Sequence, residues 1–172
     1  MSFHSKQIIT LFNALDAELK TQKLIGEIYL VGGAVMCLVF KARASTQDVD
    51  GFFQPTSTIR KLAKKVAHKM KVAENWLNDG VKGFLSPKGS FEPFLDLANL
   101  KVFTAKPDYL LAMKCLAMRF GEEFHDVDDI RYLIKYLNLT STAQALEMIT
   151  KYYPLEQFPQ KTLYALEELF EK

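Results

Sequence analysis

A chain of 172 residues with a formal net charge of +2 suits one domain, or one domain with an appendage, and its charge alone does not mark a nucleic-acid binder. Cys37 and Cys115 both sit inside apolar helical patterns, which argues against a disulfide framework, and His4, His68 and His125 are dispersed with no CxxC, which argues against zinc. No apolar run approaches the ~20 residues that cross a bilayer, and the N-terminal apolar residues are spaced at helical period and interrupted by charge, unlike a signal peptide, so the expectation is a cytoplasmic protein with no membrane contact.

Ile8, Leu11, Phe12, Leu15 and Leu19 predict an amphipathic helix over 5–20, opened by Ser5 or a neighbour. Ile28 to Val31 is β-branched and aromatic and reads as a buried strand, which Gly32-Gly33 breaks. Residues 34–40 are apolar nearly all round, as in a short buried helix. A second strand is expected over 49–53, with Asp48 and Asp50 at its start and Pro55 ending it. Thr56, Ser57 and Thr58 are N-cap candidates for a helix whose inner face is Ile59, Leu62, Ala63, Val66 and Met70. Lys61, Lys64, Lys65, His68, Lys69 and Lys71 cluster on it; they read first as a solvated helix face and second as a landing surface for phosphate.

Residues 75–89 hold several turn formers and read as loop, with one helical turn at 76–79 and an exposed Trp76. Strands are expected over 91–97 and 100–105, joined by a turn at Ala98-Asn99. From Pro107 the pattern becomes helical, with Leu110, Met113, Ala117 and Phe120 on one face and Gly121 as the stop. The acidic run at 126–129 opens another helix, Ser141 or Thr142 caps a third, and 161–170 is the last. The expected class is α+β: a core of mixed strands and helices over 1–105 with a C-terminal helical region over 106–172 packed on it.

Two constellations bear on chemistry. Residues i and i+2 of a strand share a face, with Cα atoms roughly 6.6 Å apart, so the carboxylates of Asp48 and Asp50 suit Mg²⁺, which takes one or two carboxylates plus substrate phosphates and water. Glycines at a strand-to-helix turn let a phosphate approach the backbone. Each pattern alone is common. Their pairing, with 15 to 17 residues between Gly33 and the two aspartates, allows the chain to cross back and set the carboxylates beside the glycine turn.

Gly32-Gly33 followed by Arg43-x-Ser45-x-x-Asp48-x-Asp50 resembles the signature of the nucleotidyltransferase superfamily in a minimal bacterial form, most members having Gly-Ser at the turn. The helix over 110–119 that bears Lys114, followed by Asp126-Val127-Asp128-Asp129, resembles the later blocks of AbiEii-like toxins, and Trp76-Leu77-Asn78-Asp79-Gly80 resembles a related bacterial family. The resemblance spans residues 28 to about 137. It implies a small nucleotidyltransferase-type sheet and transfer of a nucleoside monophosphate from an NTP, with Mg²⁺ or Mn²⁺, to a hydroxyl of RNA (a transfer-RNA 3′ end) or of a protein. It also implies a toxin role with an antitoxin partner.

Under that resemblance Asp48 and Asp50 hold metal, and Gly32, Gly33, Arg43, Lys114, Asp126 and Asp129 serve the nucleotide. Asp96, within the apolar run Phe94 to Leu97, is the candidate third carboxylate and catalytic base, with Glu92 as its alternative. Plainer readings stand beside these: Arg43 pairing with Asp48, Lys114 snorkelling from a packed helix, the acidic run capping its helix, and the whole chain a degenerate fold that binds nucleotide or a protein partner without catalysis.

Overall fold

The structure, a computed structural model, describes residues 2–121 and 123–171. In chain order the elements are β1 (Phe3–His4), α1 (Ser5–Thr21), β2 (Gly26–Val31), α2 (Gly33–Leu38), β3 (Ser45–Thr46), β4 (Val49–Gln54), α3 (Thr56–Met70), β5 (Leu77–Asn78), β6 (Phe91–Asp96), β7 (Leu100–Ala105), α4 (Pro107–Leu116), α5 (Asp126–Tyr136), α6 (Thr142–Ile149) and α7 (Gln160–Phe170). The chain divides into two compact units, one of residues 1–83 and 91–105, the other of residues 84–90 and 106–172. The class is mixed α and β, with both parallel and antiparallel strand pairs.

The first unit is built on a five-stranded sheet in the order β5-β4-β2-β7-β6. Gly26 to Val31 alternates between buried and half-buried side chains, the signature of a strand covered more heavily on one side. Ile28 and Leu30 are fully buried, as are Val49, Leu100 and Val102 of the flanking strands. The apolar stripes of α1 (Ile8, Leu11, Phe12, Leu15, Leu19) and α3 (Ile59, Leu62, Ala63, Val66) are buried too; the two helices pack on each other and on β7 and β4. The opposite face carries an aromatic cluster. Tyr29 is stacked between Phe52 (4.6 Å) and Phe103 (4.8 Å), and Phe91 meets Tyr29 and Phe52 edge-on. Burial and the bond to Glu27 push the Tyr29 phenol above its ordinary range.

Residues 75–84 differ from the expectation of loop with an exposed Trp76. Leu77–Asn78 joins the sheet, parallel to β4, and Gly80–Phe84 is a 3-10 turn. Trp76 is 1% exposed, with its indole N–H donating to the Ala63 carbonyl at 2.9 Å. An indole that removes ~200 Å² from water contributes roughly 5 kcal/mol at ~25 cal/mol per Å². That outweighs the turn preference of the polar residues after it. Arg60 of α3 pairs with Asp79 at 2.5 Å and ties this segment to the helix, and Lys82, within the segment, pairs with the same carboxylate at 3.1 Å.

The second unit gathers α4 to α7 with the 84–90 segment. Tyr109, fully buried, accepts a bond from the Ser86 N–H (3.0 Å); the Ser86 hydroxyl donates to the Tyr152 carbonyl (2.5 Å); the Tyr153 hydroxyl donates to the Phe84 carbonyl. Ser141 caps α6, its hydroxyl accepting from Gln144 N at 3.2 Å. The first helix after Pro107 stops at Leu116, short of the Gly121 expected to end it, and Phe120, expected on its inner face, is 40% exposed.

Candidate active site at the glycine turn

The register of β2 and β4 creates the site. Val31 pairs with Asp50 at the end of an antiparallel ladder, so the strand that runs into Gly32 delivers its last residue beside the strand that begins with the aspartates. Cross-strand partners share a face, and Asp50 therefore lies on the side of Tyr29 and Phe52 rather than the covered side. Val49 is fully buried while Asp48 is exposed and Asp50 half-buried, so the alternation sets both carboxylates away from the covered face. Asp48 forms no ion pair among the described residues.

Gly32 stands at φ 69°, ψ −150°, a region essentially confined to glycine. A Cβ there would sit 3.4 Å from Asp50 Oδ2. Gly33 opens α2, and a Cβ on it would overlap Arg43 Nη1 and lie 2.6 Å from Thr46 Oγ1. Gly33 thus leaves room for a guanidinium over the backbone, and Gly32 supplies the conformation that turns the chain beside the Asp50 carboxylate. Thr46, buried, donates to the Asp48 carbonyl at 3.1 Å and fixes the bend before β4. The sequence pattern assigns Thr46 no role; its hydroxyl two residues before the first aspartate is the one available signal.

Two hard carboxylates beside a glycine turn are a donor set that fits one or two Mg²⁺ or Mn²⁺ ions completed by substrate phosphates and water. Among the described residues no group of three or more His, Cys, Asp or Glu gathers into a self-sufficient metal cage.

Asp96 lies elsewhere in the first unit. It is the last residue of β6, paired in register with Lys101, which in turn aligns with Glu27 at the far end of β2 from Val31. Asp50 and Asp96 are therefore about 13 Å apart along the strands and about 14 Å across them. The side chain is 80% exposed and ion-paired with Lys101. The desolvation cost expected from its apolar neighbours does not arise, because a bulge between Pro93 and Leu95 and the strand end release it to solvent. Glu92 aligns with Thr104 and, through it, Leu30. That is the right end of the sheet but the face opposite Asp50.

Lys114, Asp126 and Asp129 belong to the second unit and meet one another. Lys114 Nζ lies 2.6 Å from Asp129 Oδ2 and 3.3 Å from Asp126 Oδ1, and the three side chains are 8%, 3% and 6% exposed respectively for Lys114, Asp129 and Asp126. Arg119 adds its backbone N–H and Nε to Asp126 Oδ2, both at 2.9 Å. Burial pushes the Asp126 carboxyl up, but the Arg119 guanidinium and the Lys114 ammonium outweigh it and hold it below the usual range. The network joins the last turn of α4 to the first turn of α5, with each sign at the helix end that favours it. Nearby Cys115 is fully buried and its thiol is pushed up to about 12 by burial, so it is an inert packing residue.

The lysine-rich helix is partly neutralised from within. Glu18 of α1 takes both Lys65 (3.0 Å) and Lys69 (2.5 Å), and His68 lies 3.5 Å from Glu74. No helix of the described residues is long and apolar enough to cross a membrane. A scan against protein-family models found no match, and searches of curated proteins and of solved structures found none.

Proposed function

We propose that the chain is a nucleotidyltransferase that moves a nucleoside monophosphate from an NTP to a hydroxyl, with Asp48, Asp50, Gly32, Gly33 and Arg43 as its active site. The observation that carries the reading is the Val31–Asp50 pairing, which seats a carboxylate against a glycine held in a glycine-only conformation. The bond formed joins the acceptor oxygen to the α-phosphorus. The bond broken joins that phosphorus to the bridging oxygen of the β-phosphate. Pyrophosphate departs with the bonding electrons, and the hydroxyl proton leaves to solvent.

Such a displacement asks for position and charge neutralisation more than for covalent help from the protein. Asp48 and Asp50 would hold the Mg²⁺ or Mn²⁺, which when bound supplies neutralisation at the attacking and leaving oxygens. The backbone at Gly32-Gly33 admits the triphosphate without side-chain interference, and Arg43, over Gly33, meets its negative charge. Lys114, Asp126 and Asp129 are matched to one another and take the part of a clamp between α4 and α5.

One observation favours a second reading, a nucleotide-binding protein without transfer: Asp96 stands at the wrong end of the strands to act with Asp48 and Asp50. The test is incubation with each α-³²P NTP, Mg²⁺, total transfer RNA and cell protein. Label should enter one acceptor class and fall by at least roughly a hundredfold, the scale of losing a principal charge-stabilising group, in Asp48→Asn/Asp50→Asn. Tight NTP binding with no label on any acceptor favours the second reading.

A further inference from the structure

The segment Trp76 to Gly80 takes no part in the reaction as proposed, yet the sheet brings it to the site. β5 runs parallel to β4 at the sheet edge, with Leu77 opposite Val49 and Asn78 opposite Asp50. Leu77 and Val49 are both buried, on the covered face, and Asn78 and Asp50 are both half-buried, on the other. Neighbouring strands lie about 4.8 Å apart. The Asn78 carboxamide and the Asp50 carboxylate therefore start one strand spacing from each other on one face.

Asn78 is held there from both sides. Before it, the Trp76 indole is anchored on α3 and the Trp76 carbonyl accepts the Val49 N–H at 3.0 Å. After it, Asp79 is tied to α3 by Arg60. Between these anchors Asn78 Oδ1 accepts the Gly80 N–H at 2.7 Å, and a Cβ on Gly80 would lie 3.1 Å from that oxygen. This bond engages the oxygen of the amide and fixes which way the group is turned. What is left is Nδ2, with two N–H donors and no acceptor; it forms no hydrogen bond among the described residues.

A group that only donates, one strand away from a carboxylate that holds metal, suits an anion carried by the same metal. Magnesium keeps its oxygen ligands at about 2.0–2.1 Å, so two oxygens on one ion lie within roughly 4 Å of each other, less than the strand spacing. A lysine in this row would pair with Asp50 and compete with the metal. An amide donates to an anion and leaves the carboxylate charged. We propose that Asn78 Nδ2 donates to a non-bridging oxygen of the metal-bound triphosphate and positions the phosphate chain beside the Gly32 turn. The proposal rests on the nucleotidyltransferase reading and adds to its site a positioning residue from a third strand, one that contacts phosphate and neither base nor sugar.

The test separates the donor from the turn. Asn78→Ala removes the oxygen and the donors without adding charge. Asn78→Ser keeps an uncharged oxygen for the Gly80 N–H, but its hydroxyl is one bond too short to replace the amide donors. Isothermal titration calorimetry measures binding of the α,β-methylene analogue of each NTP with Mg²⁺, per folded molecule, and a urea midpoint is read alongside. The analogue that the wild type binds most tightly should bind both variants about tenfold more weakly, the scale of losing a hydrogen bond to a charged group. Its 2′-deoxy form should lose the same factor, and the urea midpoint should fall further in Asn78→Ala than in Asn78→Ser. Wild-type affinity in Asn78→Ala, or in Asn78→Ser alone, overturns the inference, since the amide then serves no ligand or serves only the turn; the transferase reading is left standing. A loss that disappears with the 2′-deoxy analogue assigns the contact to the sugar and also overturns it. Weakened binding in both variants with no transfer of α-³²P label by the wild type upholds Asn78 and removes the transferase. Failure of the wild type to bind any analogue removes both.

Discussion

Asp50 and Asp129 each belong to a small group of acidic residues at the opening of a regular element, yet their surroundings differ. Asp129 is 2% exposed, with an ammonium 2.6 Å away and a second carboxylate sharing it. Asp50 is half-buried beside Gly32, whose backbone takes a conformation that other residues avoid. In the second unit charge is taken out of water and matched, acid to base, to join two helices. In the first, Gly33 leaves room for a guanidinium over the backbone, and Gly32 turns the chain beside a carboxylate. A matched network is the arrangement of a structural joint, whereas a glycine turn beside two carboxylates at a strand end is the arrangement that the proposed metal and triphosphate require. The contrast separates two motifs that look equally acidic in the sequence.

The largest effect expected from breaking this contrast is on stability in the second unit. Lys114→Ala leaves Asp126 and Asp129 buried without their ammonium, and removal of one partner of a buried pair costs about 3–5 kcal/mol. A urea midpoint read by circular dichroism checks this. Lys114→Met/Asp129→Asn, which removes charge of both signs, should recover part of the loss. A Lys114→Ala protein of wild-type stability would mean that the network is not a joint.

A smaller effect is expected at the turn. Gly32→Ala imposes a side chain on φ 69°, ψ −150° and should destabilise by about 1–3 kcal/mol through backbone strain. A cost near zero would show that the turn relaxes into an ordinary conformation and that its geometry is not held for a ligand.

The smallest effect concerns pH. The Asp126 carboxyl is held below its ordinary value in the folded chain, so the folded state binds its proton less readily than the unfolded one. The stability it contributes is present above the unfolded value, about 3.9, and is lost as pH falls through the folded value. Thermal melts should therefore show Asp126→Asn less acid-sensitive than the wild type below about pH 4. The same acid slope in both would remove Asp126 from the linkage.

The periodic elements were legible in the residues because their burial is periodic. The α1 stripe and the capped start of α6 follow from spacing, and β2 follows from its β-branched and aromatic residues. Trp76 misled because turn-forming neighbours say nothing of a carbonyl that lies 13 residues back in sequence, on α3, and receives its indole N–H. The pairing of Gly32 with Asp50 was legible as a spacing, since one helix and a return strand fit between them. The isolation of Asp96 was not. Its distance from Asp50 is set by strand order and by a bulge in β6, both of which depend on partners remote in sequence.

The central claim is that the first unit's carboxylates act and the second unit's hold. The most direct measurement is the α-³²P transfer assay normalised to folded protein, run on Asp48→Asn/Asp50→Asn beside Lys114→Met/Asp129→Asn. The account predicts no transfer from the first variant at near wild-type stability, and retained transfer per folded molecule from the second despite a lower urea midpoint. Retained transfer in the first variant, or its loss in a fully folded second variant, would contradict it.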